Sequence, residues 1–355
     1  MCAKVLFEPI GEEIECGEDE SVLDAAFRQG YNLVYGCREG QCSACKCYLL
    51  EGEVALKPYS TFALSDVEEA QGYTLLCRAM PDEDLVVELL HYDPDNYKLD
   101  HPIGEGVGIL TELEELTHDI VRLRLRIDEP ADFDFKPGHY VDIAVPGEDD
   151  AHRSFSMANL PGEGELEFII KRYEGGRFSG LLRDEIATGD RLRFTGPYGA
   201  FYLRRSERAI LMVAGGSGMA PVLSVLRQLA AEGSDRRVRF LYGARTRHDL
   251  ICLDVVEALG ARLADFRFVP VLSEPADGDD WEGETGFVHE AAGRLLDSGE
   301  LGDFEAYMCG PPPMIDAASE MLADGHGVDE HLIHYDKFTT AADADEPARS
   351  KGTAP

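Results

Sequence analysis

One stretch of the sequence decides how the first part of the chain folds: Gly36-Cys37-Arg38-Glu39-Gly40-Gln41-Cys42-Ser43-Ala44-Cys45. Its cysteines follow the spacing Cys-x4-Cys-x2-Cys, and a single further cysteine, Cys77, comes later in the chain. This spacing is typical of a plant-type [2Fe–2S] cluster, which four thiolates bind. Small residues between the ligands let backbone N–H groups turn towards the sulfurs. We therefore predict that Cys37, Cys42, Cys45 and Cys77 bind an iron–sulfur cluster.

These cysteines have two alternative explanations, a structural zinc site and a set of buried thiols. Structural zinc usually takes paired Cys-x2–4-Cys segments, whereas the fourth cysteine here stands alone. The spacing therefore favours the cluster. Four other cysteines are expected to be ordinary small residues: Cys2, Cys16, Cys47 and Cys252.

Length and charge limit the class of protein. The chain has 355 residues, which predicts two or three domains. Its net charge of −35 argues against nucleic acid or an anionic membrane as a partner. The acidity is explained by solubility, by adaptation to salt or by docking on a basic partner, and the sequence leaves these three open.

Cysteine usage and hydropathy indicate a cytoplasmic protein. Nine cysteines, of which four are assigned to metal, do not suggest a disulfide framework, so a reducing cytoplasm is expected. No long apolar segment follows Met1, and we expect no signal peptide. Residues 209–226 are uncharged and long enough to suggest a membrane span, but Gly215–Gly218 and Pro221 interrupt them. A strand, a loop and a helix are expected there.

The first 104 residues are predicted to form one domain and a linker. Residues 1–97 contain a hairpin pattern, a short helix that begins at Ser21 and ends at Gly30, and further strands around the cysteine loop. Residues 98–104 are polar and without periodicity, which predicts a linker.

The remaining sequence changes pattern once. Residues 105–203 contain short strands with Gly and Pro turns, which predicts a small barrel; residues 120–127 alternate strictly. Residues 204–340 alternate apolar strands with helical patterns, which predicts a parallel α/β domain suited to a nucleotide. The tail, 341–355, has a composition that predicts disorder.

The first motif of the barrel segment is Arg153-Ser154-Phe155-Ser156, expected in a loop after a strand. It resembles the Arg-x-Tyr-Ser flavin motif of the ferredoxin–NADP reductase superfamily. The resemblance implies that Arg153 pairs with a flavin phosphate and that the Ser156 hydroxyl lies near flavin N5. Ser154 and Phe155 would complete the flavin contact, although Phe155 replaces the usual Tyr. The alternative is a surface arginine near a turn.

A second motif in this segment is Gly175-Gly176-Arg177-Phe178-Ser179-Gly180, which should open a short helix. Small residues before a helix N-terminus can bind an anion. In the same superfamily this element holds the FAD pyrophosphate, which favours FAD and implies roles for Gly176, Phe178 and Ser179. A simple turn is the alternative.

A glycine-rich loop follows the first strand of the α/β segment, with Gly215, Gly216, Ser217 and Gly218 in sequence. Glycines allow the backbone to approach a pyrophosphate, and the following helix N-terminus faces its charge. We therefore predict that these four residues bind NAD.

Residues at the ends of the next strands bear on the choice of nucleotide. Glu274 would repel a ribose 2′-phosphate and favour NADH, because relatives that use NADP carry a basic residue near this position. Arg245 and Arg247, which follow the preceding strand, would instead favour a nucleotide with a 2′-phosphate.

The end of the α/β segment holds Cys309-Gly310-Pro311-Pro312-Pro313-Met314. It resembles the Cys-Gly-Pro-x-x-Met motif of the superfamily, whose cysteine lies beside the nicotinamide C4; Gly310 is assigned to the nucleotide. A C-terminal aromatic covers the flavin in these proteins, and Phe338 is the last aromatic here. The alternatives are a small buried residue for Cys309 and a core anchor for Phe338.

With the cysteine loop, these motifs cover residues 3–338 in the order found in three-domain oxygenase reductases. The chain therefore resembles that family, and within it the reductases of soluble di-iron monooxygenases, the propane group in particular. The implied fold is a β-grasp ferredoxin domain, an FAD-binding β-barrel and a Rossmann-like NAD-binding domain. The closer resemblance is carried by the stretch from Gly36 to Cys47 and by the ending His334-Tyr335-Asp336-Lys337-Phe338-Thr339-Thr340.

The resemblance implies that the protein takes hydride from NADH onto FAD and passes single electrons through the cluster to a di-iron hydroxylase. Ser156, Cys309 and Phe338 are the candidate catalytic residues. A reductase for a Rieske dioxygenase or a deoxysugar dehydratase is one alternative. An electron carrier without flavin activity is another, of a different class.

Overall fold

The described residues up to Ile103 contain a five-stranded sheet that packs on a short helix, and a separate two-stranded sheet. The computed structural model describes residues 2–92, 97–148, 151–276, 278 and 280–338. It divides them into two units, one ending at Ile103 and one spanning Gly104–Phe338. The first unit contains β1 Ala3–Glu8, β2 Glu12–Cys16, α1 Val22–Arg28, β3 Lys46–Glu51, β4 Val54–Leu56, α2 Asp66–Ala70, β5 Tyr73–Leu75, β6 Ala79–Pro81 and β7 Leu85–Leu89.

The strand order β2-β1-β7-β3-β5, with β1 and β7 parallel, is the predicted β-grasp arrangement. Ser21 caps α1 by accepting a hydrogen bond from the Asp24 N–H, and Gly30 follows the helix with a φ of +82°. Leu23 and Phe27 face the sheet and are buried. The segment between β2 and β3 is thereby fixed at both ends, which positions the cysteine loop.

The predicted linker begins with residues that pair with this unit. The Asn32 N–H donates to the Tyr97 carbonyl, the Leu99 N–H donates to the Gly30 carbonyl, and Lys98 forms a β-bridge with Tyr31.

The second unit begins with a six-stranded antiparallel sheet that curls into a barrel. Its elements are β8 Gly104–Glu115, β9 Ile120–Glu129, β10 Tyr140–Ala144, β11 His152–Ser156, β12 Glu165–Lys171, α3 Arg177–Asp184 and β13 Arg191–Tyr198. The order is β11-β10-β13-β8-β9-β12, and a bridge between Met157 and Phe168 brings the two edges together. Leu123 and Leu125 of β9 point into the barrel core, as the alternating pattern predicts.

The unit continues with a parallel sheet that has helices on both faces. Its elements are β14 Ala209–Gly215, α4 Met219–Glu232, β15 Arg237–Ala244, α5 Leu253–Gly260, β16 Asp265–Leu272, β17 Glu284–Thr285, α6 Val288–Asp297, β18 Phe304–Gly310, α7 Pro312–Glu320 and β19 Ile333–Lys337. The order is β17-β16-β15-β14-β18-β19. Strand order reverses beside β14, and ligands of such sheets bind at the carboxyl ends of the strands around that point.

Residues 209–226 form β14, a turn at Gly216–Gly218 and the first half of α4, as predicted. No helix in the part of the chain that the structure describes is both long and apolar enough to cross a bilayer. The predicted disordered tail, 341–355, lies outside the described residues.

Candidate functional site

The four predicted cluster cysteines meet as two pairs of thiols. Cys37 and Cys42 share a side-chain hydrogen bond, and so do Cys45 and Cys77. Cys45 and Cys77 are buried, whereas Cys37 and Cys42 are partly exposed. The hydrogen bond between the two thiols, with the backbone N–H groups of Gln41 and Glu39, lowers the pKa of Cys37, while the same pairing raises the pKa of Cys42.

Backbone N–H groups of the cysteine loop point at the sulfurs. The N–H of Cys37 lies 3.2 Å from Cys42 Sγ, and the N–H of Gln41 lies 3.2 Å from Cys37 Sγ. Gly40 lies between them with a φ of +72°, and a Cβ there would come within 2.8 Å of Tyr59 Cβ. Such donors offset the negative charge of cluster sulfurs. The loop therefore fits a [2Fe–2S] cluster.

The spread of the thiols argues against a single zinc ion. One group of three possible ligands within 4.8 Å of one another occurs among the described residues, and it is His118, Asp119 and Asp249. The cluster cysteines do not form such a group, although sulfurs around one tetrahedral ion would. Two pairs, each able to hold one iron, suit a binuclear cluster.

Arg153 and Ser154 lie on β11 rather than in the predicted loop, because the strand pairs with β10. The Arg153 side chain is exposed, and it forms no ion pair with another described residue. A guanidinium in this state is open to a phosphate. The Ser154 hydroxyl donates to Asp142 at 2.6 Å, so it fastens the strand.

Phe155 and Phe178 pack against each other beneath this strand. Their ring centroids lie 5.0 Å apart, and both rings join the barrel core. Gly176 precedes the first residue of α3, where no side chain caps the first backbone N–H groups. The Ser179 hydroxyl accepts a hydrogen bond from the Tyr173 N–H at 2.9 Å and shapes the turn. The uncapped N-terminus of α3 remains available to an anion.

The glycine-rich loop has the predicted strand–turn–helix setting. Gly215 ends β14, Gly216 and Ser217 form the turn, and α4 begins after Gly218 with no side-chain cap. A Cβ on Gly218 would lie 2.1 Å from the Cys309 carbonyl oxygen. Only glycine permits this approach, which joins the loop to the end of β18.

Ser156, Cys309 and Asp336 come together from three strands. Cys309 of β18 is the direct partner of Asp336 on β19, and the Ser156 side chain hydrogen-bonds to Asp336. Burial raises the pKa of Asp336 to about 6, although the Ser156 hydrogen bond opposes this rise. Burial also raises the pKa of Cys309, followed by the effect of Asp336. Cys309 is therefore a neutral thiol rather than a nucleophile.

Gly310 and Phe338 border this group. The Phe338 N–H donates to the Gly310 carbonyl at 2.9 Å, and the ring packs, half-buried, on the core cluster that contains Cys309. Both predicted roles of Phe338, as a cover for the flavin and as an anchor, are compatible with this position.

Arg245 and Glu274 lie side by side at the carboxyl edge of the sheet, since the Glu274 N–H donates to the Arg245 carbonyl at 2.8 Å.

Asp336 is a site residue that the sequence did not predict. It joins the site because β19 lies beside β18 in the sheet. Its only sequence signal is its place two residues before the last aromatic.

Three family models match successive parts of the chain. They are the 2Fe-2S iron-sulfur cluster binding domain over residues 6–82, the oxidoreductase FAD-binding domain over 108–202 and the oxidoreductase NAD-binding domain over 212–320. The predicted cofactors and fold class are confirmed by these matches.

Curated relatives span nearly the whole chain. The propane 2-monooxygenase reductase component of Rhodococcus jostii (strain RHA1) is 46% identical over 96% of this chain and 92% of its own length. The phenol 2-monooxygenase reductase component DmpP of Pseudomonas sp. (strain CF600) is 40% identical over 99% and 98%. The toluate 1,2-dioxygenase electron transfer component of Pseudomonas putida is 33% identical over 93% and 95%.

Among solved structures, the Amycolatopsis cytochrome P450 reductase GcoB is similar along its full length. It matches with a TM-score of 0.85 and 31% identity, covering 95% of this chain and 99% of that one.

Proposed function

The chain belongs to the family of three-domain oxygenase reductases, and we propose that it carries electrons from NADH to the di-iron hydroxylase of a soluble monooxygenase. It is an oxidoreductase with 2Fe-2S, FAD-binding and NAD-binding domains, and its partner is the hydroxylase component of a monooxygenase. The di-iron centre and an alkane such as propane as the final substrate are the finer parts of the proposal.

The observation that carries the redox part is the meeting of Ser156, Cys309 and Asp336. Ser156 comes from the strand of the proposed flavin site, and Cys309 comes from the sheet that holds the proposed nucleotide site. When bound, FAD accepts a hydride from NADH, and the [2Fe–2S] cluster passes the electrons on one at a time.

The chain's own residues would bind and orient the reactants. We assign Arg153 and the α3 N-terminus to the FAD phosphates, and the loop from Gly215 to Gly218 to the NADH pyrophosphate. Cys309 would limit how closely the nicotinamide approaches. The Ser156 hydroxyl donates to Asp336 while that carboxyl is ionised; once Asp336 is protonated, the hydroxyl could accept from it and donate its own hydrogen bond where negative charge develops.

The preference for a monooxygenase partner rests on the names and identities of the relatives. Those named as monooxygenase reductases reach 46% identity, and the dioxygenase component reaches 33%. A carrier without flavin activity is disfavoured, because an FAD-binding domain model matches residues 108–202. None of the nine cysteines is paired in a disulfide, which supports a reducing compartment, and we propose the cytoplasm.

Reconstitution tests the proposed partner. The purified holoprotein replaces the native reductase in three systems: the propane 2-monooxygenase of Rhodococcus jostii, the toluate 1,2-dioxygenase of Pseudomonas putida and a cytochrome P450 of Amycolatopsis. Product formation and NADH consumption are measured in each. We expect coupled turnover in the first system, and faster product formation in either of the others would refute a di-iron hydroxylase as partner.

A further inference from the structure

A group of charged side chains lies at the carboxyl edge of the nucleotide sheet, beside the glycine-rich loop. Gly215 pairs with Gly243 and Ala244 pairs with Leu272, so Arg245 follows directly after the strands that frame this edge. The Tyr242 hydroxyl donates to the Gly216 carbonyl at 3.0 Å and ties the loop to β15. In sheets of this kind, the residue after the second strand is near the ribose of a bound dinucleotide.

Two carboxylates face the Arg245 guanidinium. Its Nη2 lies 3.6 Å from Asp119 Oδ2 and 3.9 Å from Asp249 Oδ1. Asp119 comes from the hairpin between β8 and β9 of the barrel, whereas Asp249 comes from the turn after β15. The barrel thus contributes a side chain to the nucleotide end of the sheet.

Both carboxylates are held in place by hydrogen bonds from their own turns. The Thr246 N–H and hydroxyl each donate to Asp249 Oδ2 at 2.9 Å, and the Thr117 hydroxyl donates to Asp119 Oδ1 at 3.0 Å. Burial raises the pKa of Asp249, but the bonds from Thr246 and the nearby Arg245 bring it below the usual value. The carboxylate is therefore ionised at neutral pH.

A metal ion is a poor occupant of this group. His118, Asp119 and Asp249 lie close enough to share an ion, but two cations are already present. Lys171 Nζ lies 3.5 Å from Asp119, and Arg245 lies 3.6 Å from it. Both side chains would repel a divalent cation, and the carboxylates form ion pairs with them instead.

We propose that Asp119 and Asp249 engage the Arg245 guanidinium and thereby withhold it from a ribose 2′-phosphate, which makes the protein selective for NADH. The inference rests on the nicotinamide-oxidising function proposed above. An unengaged arginine at this edge would bind the 2′-phosphate of NADPH through charge-assisted hydrogen bonds. The two carboxylates beside the guanidinium, with Glu274 next along the edge, would repel a phosphate dianion brought up to Arg245. A ribose 2′-hydroxyl carries no charge and escapes this repulsion.

Isosteric amides test the proposal by removing charge while keeping shape. Asp119→Asn, Asp249→Asn and the double variant are compared with wild type as holoprotein, with ferricyanide as acceptor. The ratio of kcat/KM for NADPH to that for NADH should rise about tenfold in the double variant, mainly through KM, because the guanidinium gains a phosphate partner. Inhibition by 2′-phospho-ADP-ribose should strengthen relative to ADP-ribose.

Two controls separate the role of Arg245 from a general change in charge. The gain should disappear when Arg245→Ala is added to the double variant. Asp128→Asn removes a barrel carboxylate that pairs with Arg191 at 2.6 Å instead, and it should leave the ratio unchanged. An unchanged ratio in the double variant, an equal gain without Arg245, or an equal gain in the Asp128 variant would overturn the proposal. Failure of the wild type to oxidise NADH would instead refute the proposed function.

Discussion

Arg227 contributes to the contact between the barrel and the nucleotide domain, and its removal should be costly. Arg227 lies on α4, the helix that begins after the glycine-rich loop. It donates to the Ala158 carbonyl at 2.6 Å and to Glu167 at 3.1 Å. Ala158 is two residues after Ser156, so the arginine joins the nucleotide helix to the strand of the flavin site.

The expected magnitude follows from burial. The side chains of Arg227 and Glu167 are 18% and 3% exposed, and hydrogen bonds to charged groups at such positions contribute about 1.5–3 kcal/mol. Arg227→Met leaves the Ala158 carbonyl and one Glu167 oxygen without this donor, although Arg124 still pairs with Glu167 at 2.9 Å. We therefore expect the free energy of unfolding to fall by about 2–4 kcal/mol.

Urea unfolding followed by tryptophan fluorescence measures this directly, because the sequence has a single tryptophan, Trp281, in the nucleotide domain. The matched control is Arg237→Met. Arg237 pairs with Asp265 at 2.7 Å, but these side chains are 46% and 39% exposed, so its loss should cost about 0–1 kcal/mol. Equal losses for the two variants would refute the argument from burial. Hydride transfer should slow only in Arg227→Met, since only that variant loosens the flavin strand from α4.

Three further substitutions test the cluster, the hydride site and the C-terminal aromatic. Cys42→Ser should abolish the cluster absorbance and electron delivery to a partner, while ferricyanide reduction by NADH persists. The control Cys47→Ser lies outside the predicted ligand set and should retain the absorbance. Loss of flavin reduction in the Cys42 variant would contradict the placement of cluster and flavin in separate domains. Ser156→Ala should slow flavin reduction, measured as stopped-flow bleaching, because about 2–4 kcal/mol of transition-state stabilisation is lost. It should also move the pKa of Asp336 up from about 6, because the bond to Ser156 holds it down; an unchanged rate and pH profile would exclude both effects. Phe338→Ala should shift the flavin spectrum and tighten NAD binding if the ring covers the flavin, whereas a lower Tm with an unchanged spectrum would identify a core anchor.

Local patterns were sufficient to predict much of the fold. The Ser21 cap, the alternation of residues 120–127 and the glycine-rich loop after an apolar strand each predicted an element that the structure contains. These signals act between residues close in sequence, and short-range hydrogen bonding or periodic burial determines their outcome. Such patterns do not fix where a helix begins: α5 spans Leu253–Gly260, and Cys252 directly before it adopts a φ of +55°.

The sequence by itself supplied the cysteine spacing that predicts the cluster ligands, the order of the motifs and the glycine-rich loop after an apolar strand, because spacing along the chain carries that information. Only the tertiary structure brought Asp336 to Ser156 and Cys309, and Asp119 to Arg245. Ser156 and Asp336 lie 180 positions apart in the sequence, Asp119 and Arg245 lie 126 positions apart, and no periodicity links either pair. They meet because parallel strands align their carboxyl ends and because the barrel hairpin packs beside that edge, and both depend on the sheet as a whole.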